Sequence, residues 1–178
     1  KGAEGIVFTS ILRGMVNALC ELTNKPIELM TMLNNLIIKS HLNQIFTLSY
    51  LVLYPEENQL KFISCGYGNL WRIPAGTDTP EKLSTNNIAL GIESTTEFIE
   101  LTEEWNNGDC LIINTNAGIV TDLSDESVFT EELFRQTLLE NLNFPPQRTV
   151  DSLMRKAKVM GGKLTQDRSL TLISFLRK

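Results

Sequence analysis

Few side chains of this sequence are suited to catalysis or to binding a metal ion. His41 is the only histidine in the chain, so a histidine-based zinc site or a Ser-His-Asp triad has little to draw on. His41 ends a predicted helix, where a histidine interacts favourably with the helix dipole. The three cysteines lack metal-ligand spacing and lie among apolar neighbours, at positions 20, 65 and 110. We interpret them as reduced core residues.

Acidic and amide side chains near turns are further candidates, and each has a structural interpretation. Asp109 lies in an Asn-Gly-Asp sequence, which is common in hairpins, so we expect a turn residue rather than a metal ligand. Asn116 follows the apolar strand in LIINTNAGIV, residues 111–120, and an Asn at a strand end commonly caps a turn. We expect a solvated helix start for the acidic group Asp122, Asp125, Glu126, Glu131 and Glu132.

Composition and charge indicate a soluble globular domain. Hydrophobic residues make up 42% of the 178 residues and charged residues 21%, which is near the average for folded proteins. The net charge of −5 argues against a nucleic-acid surface. No apolar run approaches the ~20 residues that span a bilayer, so we predict a cytoplasmic domain without membrane contact. The chain starts without Met, and we expect residues 1–178 to be most of a single domain within a longer protein.

The apolar periodicity predicts four helices. Residues 4–23 are expected to form a largely buried helix that pairs with a second helix starting at Pro26. In that second helix Ile27, Met30, Leu33 and Ile37 form the predicted buried stripe, while Asn34, Asn35 and Lys39 face away. A third helix is predicted over 124–142, with capping groups at Ser124, Ser127 and Glu131, and a fourth over 150–160.

Alternating and apolar segments predict the strands. They lie at 45–54, 60–65, 69–73, 97–101, 110–115 and 169–176, with a surface loop over 75–82. We expect 97–101 and 110–115 to pair as a hairpin around the WNNGD turn. We expect Trp71 and Trp105 to be partly buried in the core or to lie at its rim. Because helices and antiparallel strands are segregated along the chain, the fold class predicted is α+β, arranged as a four-layer α-β-β-α sandwich.

Several segments, taken in order, resemble the metal-dependent protein phosphatases (the PPM family), in particular its SpoIIE/RsbU branch. They are KGAEGIVFTSIL, IFTLSYLVLYPEENQLKFISCGYGN, ALGI, NNGDCLIINTNAG and QDRSLTLI. The resemblance extends over nearly the whole chain. It implies the same α-β-β-α fold, and an active relative would use two manganese or magnesium ions to hydrolyse phosphoserine or phosphothreonine. Two metal-binding aspartates of that family would lie upstream of Lys1.

The resemblance also shows where this chain departs from the pattern. Where the family has Thr-Asp-Gly, this chain has Thr115, Asn116 and Ala117, and where it has Asp-Asp-x-Thr, this chain begins with Gln166 and Asp167. Both positions that the resemblance assigns to metal-binding carboxylates therefore hold neutral amides, which bring no charge to a divalent ion. Arg168 adds a positive charge nearby. Asp167 is the one carboxylate retained at the second motif; it either assists a weakly bound ion or is a solvent-exposed turn residue.

These substitutions favour a degenerate phosphatase domain, catalytically impaired, that binds a partner in a sigma-factor partner-switching pathway. By resemblance, the partner is a phosphorylated anti-sigma factor antagonist, and a homodimer or pairing with an active phosphatase is a further option. No cofactor, or only weakly bound manganese or magnesium, is expected. One alternative is an active phosphoserine phosphatase that uses Asp167 and Asp122 as substitute ligands. Another is a structural or dimerisation domain.

Overall fold

A computed structural model describes residues 3–66, 68–115, 129–142, 144–160 and 171–178. The helices are α1 (Ala3–Cys20), α2 (Pro26–Lys39), α3 (Glu131–Glu140) and α4 (Pro146–Met160). The strands are β1 (Leu48–Tyr54), β2 (Gln59–Cys65), β3 (Gly68–Ile73), β4 (Glu81–Leu83), β5 (Leu101–Glu104), β6 (Cys110–Thr115) and β7 (Leu172–Leu176). Helices and antiparallel strands thus coexist in segregated blocks, as the predicted α+β class requires.

The chain forms two compact units. The first comprises Lys1–Leu53, Leu60–Gly66 and Thr85–Thr102, and the second comprises Tyr54–Gln59, Tyr67–Ser84 and Glu103–Lys178. The prediction that residues 1–178 belong to one domain stays a prediction.

In the first unit, helices α1 and α2 contact each other, as the sequence predicted. Its core contains Leu29, Met30 and Leu33 of α2 together with Ile63 and Cys65 of β2. Strands β1 and β2 lie in a three-stranded sheet with the order β1-β2-β5. Helix α2 starts at Pro26, because a proline at the first helical position has no N–H to leave unsatisfied and a φ already suited to the helix.

The prediction of a largely buried first helix is wrong. Only Leu19 of α1 is buried, whereas Ile6 and Val7 are 70% and 55% exposed. Cys20 is also exposed, which contradicts its assignment to the core. Periodicity shows that a helix has an apolar side but not whether another element covers it.

Helix α1 also corrects the expectation that no segment could span a membrane. Its 18 residues are long and apolar enough to do so by length and composition alone. Core helices of soluble proteins and signal sequences meet the same criterion, so this finding does not identify α1 as a membrane span.

A second correction concerns Asn34, which was expected to face away from the core. It is buried, its Nδ2 donates to the carbonyl of Glu93 at 2.8 Å, and its Oδ1 accepts from the backbone N–H of Gly91 at 2.8 Å. Ile27, expected in the buried stripe, is 39% exposed instead. The polar pattern of α2 was misleading because this amide satisfies backbone groups of a loop that is distant in sequence.

The second unit contains a four-stranded antiparallel sheet with the order β4-β3-β6-β7. Helices α3 and α4 contact each other, and α4 contacts β7. Trp71, Ile112, Phe129, Phe134, Leu138 and Leu153 form its buried core. Both tryptophans are buried, and Trp71 lies within this core rather than at its rim.

Three further predictions about the elements are wrong. Strands β5 and β6 lie in different sheets, so residues 97–101 and 110–115 do not form a hairpin. Helix α3 starts at Glu131, and Thr130 caps it by accepting from the N–H of Leu133, so Phe129 and Thr130 are not helical as predicted. The predicted caps Ser124 and Ser127 lie outside the described residues. Part of the expected surface loop forms the short strand β4. Turn and cap chemistry locate chain reversals, but they do not choose the strand partner.

Candidate functional site

Three strands of the second unit meet at one end of its sheet. Gly68 of β3 lies opposite Thr115 of β6, and in the next row Asn69, Asn114 and Leu172 lie side by side across β3, β6 and β7. In the sequence, Asn116 follows Thr115 directly, and Gln166 and Asp167 precede β7. The tertiary structure therefore brings together the strand ends that lead to the sequence-predicted site residues.

The predicted site residues themselves lie outside the described residues. This applies to Asn116, Gln166 and Asp167, and also to Ala117, Arg168, Asp122, Asp125 and Glu126. Their predicted metal-site roles stay predictions. Glu131 and Glu132, the described members of the acidic group, lie in the first turn of α3, where carboxylates interact favourably with the helix dipole.

Two asparagines that the sequence analysis missed line this end of the sheet. Residues directly opposite each other in antiparallel strands point to the same face, so Asn69 and Asn114 share a face. Asn114 is 1% exposed, and neither of its amide atoms has a hydrogen-bond partner among the described residues. An unsatisfied buried amide costs about 1–3 kcal/mol. The available signal was an amide near the end of an otherwise apolar strand.

Carboxylate ligands for divalent cations are absent from the described residues at this strand end. The described ends of β3, β6 and β7 carry amide, hydroxyl and apolar side chains, and no carboxylate. Within the described ranges, no group of three or more His, Cys, Asp or Glu side chains could hold a metal ion. Divalent cations such as Mg²⁺ and Mn²⁺ favour charged oxygen ligands, and the chain offers only Asp167 at the two substituted motifs.

Asp109 is a structural carboxylate, as the sequence predicted. It is buried, its Oδ1 accepts from the N–H of Ala75 at 2.8 Å, and its Oδ2 accepts from the N–H of Asn106 at 2.8 Å. The side chain therefore joins the loop after β3 to the turn before β6. Both oxygens are engaged with backbone donors rather than with a metal site.

Replacing Asp109 by alanine should reduce the free energy of unfolding by about 3 kcal/mol, because two backbone N–H groups lose a charged acceptor. Chemical denaturation followed by circular dichroism measures the change. Asp78→Ala is the matched control, since Asp78 is exposed in the loop after β3, and this substitution should cost less than about 0.5 kcal/mol. Equal losses for the two variants would contradict the structural role of Asp109.

The remaining candidates from the sequence, His41 and the cysteines, do not form a catalytic or metal-binding arrangement among the described residues. His41 is exposed just beyond α2, and its N–H donates to the carbonyl of Ile38 at 3.3 Å, as expected for a residue at a helix end. Burial raises the pKa of the Cys65 thiol to about 12. Burial also raises the pKa of the Cys110 thiol, while the Ser174 hydroxyl opposes that rise. Neither thiol is activated as a nucleophile.

A cavity of about 800 Å³ lies at the opposite end of the same sheet. Its walls include Ile73, Cys110 and Leu176, which are the far ends of β3, β6 and β7, together with Asn141 and Phe144. It is separate from the strand end that leads to Asn116.

The comparisons with known proteins agree with the resemblance. The family model "Stage II sporulation protein E (SpoIIE)" matches residues 1–176. The SiaA-PP2C domain of Pseudomonas aeruginosa is similar in structure, with a TM-score of 0.80 and 14% identity, over 99% of this chain and 71% of that one. No curated protein sequence matched.

Two further solved structures have the same fold. The RsbU and RsbW domains of Rv1364c from Mycobacterium tuberculosis match with a TM-score of 0.78 and 16% identity, over 100% of this chain and 50% of that one. The catalytic domain of the phosphatase PstP, in complex with two manganese ions, matches with a TM-score of 0.62 and 15% identity, over 95% of this chain and 82% of that one. The chain therefore spans half to four fifths of these proteins.

Proposed function

Because the chain belongs to the SpoIIE family and has the PPM phosphatase fold, we propose that it is a phosphatase-like domain that binds a partner without turnover. The observation that carries the proposal is the pair of amides, Asn116 and Gln166, where the resemblance assigns metal-binding aspartates. The partner proposed is a phosphorylated anti-sigma factor antagonist, in a partner-switching pathway in the cytoplasm.

The charge at the strand end supports this proposal. Two divalent cations carry four positive charges, which the protein must balance with anionic oxygen ligands. The amide side chains of Asn116 and Gln166 are neutral at every pH, so they cannot supply the negative charge of the missing carboxylates. The described row of Asn69 and Asn114 adds two neutral amides at the end of the sheet where β6 leads to Asn116.

Neutral amides have a second consequence for recognition. Their N–H groups donate hydrogen bonds, whereas carboxylates only accept. A phosphoserine dianion would be repelled by aspartates without metal ions but can accept from amide donors. Binding of a phosphorylated partner therefore does not require metal ions at this site. Bound manganese would add chemistry in an active relative, and no step of the proposed function uses it.

The test uses the intact protein and a phosphoserine-bearing anti-sigma factor antagonist. We expect binding measured by calorimetry to be the same with manganese and with EDTA, and no phosphate release above background. The unphosphorylated antagonist is the ligand control. Asp167→Asn is the matched protein variant, because Asp167 is the retained carboxylate of the substituted pair. Manganese-dependent phosphate release that Asp167→Asn abolishes would establish the active phosphatase instead, and absence of binding would overturn the proposal.

A further inference from the structure

Polar side chains are buried together on one face of strands β3 and β6. Asn69 lies directly opposite Asn114. Two residues further along β3, Trp71 lies opposite Ile112. Residues two apart on a strand point to the same face, so Asn69, Trp71 and Asn114 share it, and they are 8%, 2% and 1% exposed. Two carboxamides and an indole N–H are therefore buried in adjacent rows of the sheet.

Three polar atoms of this group, Trp71 Nε1 and both amide atoms of Asn114, have no hydrogen-bond partner among the described residues. Opposite side chains in an antiparallel pair have Cβ atoms about 4.5–5.5 Å apart, yet Asn114 makes no hydrogen bond to Asn69. The two carboxamides are therefore separated by more than the length of a hydrogen bond. A water molecule, which forms hydrogen bonds of about 2.7–3.0 Å on each side, can bridge such a separation.

Strand β6 is an interior strand, so no further strand can pair beside Asn114. It pairs with β3 on one side and with β7 on the other, and an additional strand would join the sheet at β4 or β7. The side-chain face that Asn114 shares is otherwise apolar, because Trp71 and Ile112 belong to the core that contains Phe134 of α3 and Leu153 of α4. The polar group thus adjoins a core that offers it no hydrogen bonds.

We propose that Asn69, Trp71 and Asn114 form an internal binding site for water. Buried water in proteins typically makes about three hydrogen bonds to polar groups that would otherwise be unsatisfied. The water oxygen accepts from the Nε1–H of Trp71 and the Nδ2–H of Asn114, and the water O–H groups donate to the Oδ1 atoms of Asn69 and Asn114. The bound water joins β3 to β6 in the row next to Gly68 and Thr115.

Cross-relaxation between water and protein protons, measured by NMR on the intact protein, tests this proposal directly. We expect signals at the Nε1–H of Trp71 and the Nδ2–H of Asn114, with the sign of bound rather than surface water. Asn114→Leu removes a donor and an acceptor from the site and should abolish the signal at Trp71. The indole N–H of Trp105 is the internal reference, because Trp105 lies on neither β3 nor β6 and its signal should not change.

The stability of the same variant provides a second measurement, with Asn87→Leu as the matched control. Leucine has the branched shape of asparagine without its polar atoms, so Asn114→Leu should lower the unfolding equilibrium constant or leave it within about threefold. Asn87 is a buried amide with direct hydrogen bonds to the carbonyls of Ser64 and Ile99 and from the N–H of Ile99. Asn87→Leu should therefore raise the unfolding constant by about tenfold or more.

Two results would overturn the proposed water site. The first is the absence of water cross-relaxation at both Trp71 and Asn114 in the intact protein, which would mean that another segment of the chain supplies their partners. The second is a rise in the unfolding constant for Asn114→Leu as large as that for Asn87→Leu, which would indicate direct protein hydrogen bonds at Asn114.

Discussion

Replacing both Asn116 and Gln166 by aspartate in the intact protein should raise its affinity for manganese by roughly 100-fold or more. Loss of an outer-sphere partner alone commonly weakens metal binding by about 10–100-fold, and a ligand that contacts the ion directly contributes at least as much. Aspartate has a pKa near 4 in water, so both new carboxylates are charged at neutral pH. They would supply two of the negative charges that the amides lack.

Calorimetric titration with manganese measures the affinity of the double variant and of the unmodified protein. Asn107→Asp with Gln147→Asp is the matched control, because it adds the same two charges at exposed positions of the described structure. The control should leave manganese affinity within about twofold, since exposed charges are screened. Tight binding by the unmodified protein would contradict the degenerate site. No gain in the double variant would show that positions 116 and 166 are not the ligand positions.

Phe134→Ala should lower the free energy of unfolding of the protein by about 3–5 kcal/mol. The side chain is completely buried in the core of the second unit. Its ring centroid lies 5.4 Å from that of Trp71 and 6.1 Å from that of Phe129, the latter in an edge-to-face arrangement. Truncation removes these aromatic contacts and leaves a cavity that α3 and the sheet cannot fully close.

Phe144→Ala is the control for the loss of an aromatic ring. Phe144 is 41% exposed, and the guanidinium of Arg148 lies 3.4 Å from its ring centroid. A cation–π contact at an exposed site contributes about 0.5–1 kcal/mol, so Phe144→Ala should cost about 1 kcal/mol. Chemical denaturation of both variants gives the comparison. A loss below about 2 kcal/mol for Phe134→Ala would show that the core is less tightly packed than the structure indicates.

Local sequence patterns predicted the positions of strands and turns well. The alternation along β1 and β2 and the apolar run of β6 located these strands to within a few residues, because side-chain period and turn chemistry act over short distances. Asp109 was assigned to a turn on the same basis. The order of several weak motifs, rather than any single one, indicates the family, and the family model matches residues 1–176.

The errors concern contacts between residues that are distant in sequence. Asn34 was assigned to the surface because its polarity was apparent, whereas its partners at Gly91 and Glu93 were not. The apolar periodicity of α1 predicted a core helix. Periodicity does not reveal whether another element covers the apolar side, and only Leu19 is buried. The sequence also did not indicate that the amide of Asn114 is buried without a partner among the described residues.

The sequence by itself determined the positions of most helices and strands, the neutral amides at positions 116 and 166, and the family. These properties depend on residue type and on short-range spacing. Only the tertiary structure decided that β6 pairs with β3 and β7 rather than with β5, which places the strand ends leading to Asn116 and Gln166 at one end of a sheet. Strand pairing depends on the combined packing of side chains from distant segments, and no single segment contains that information.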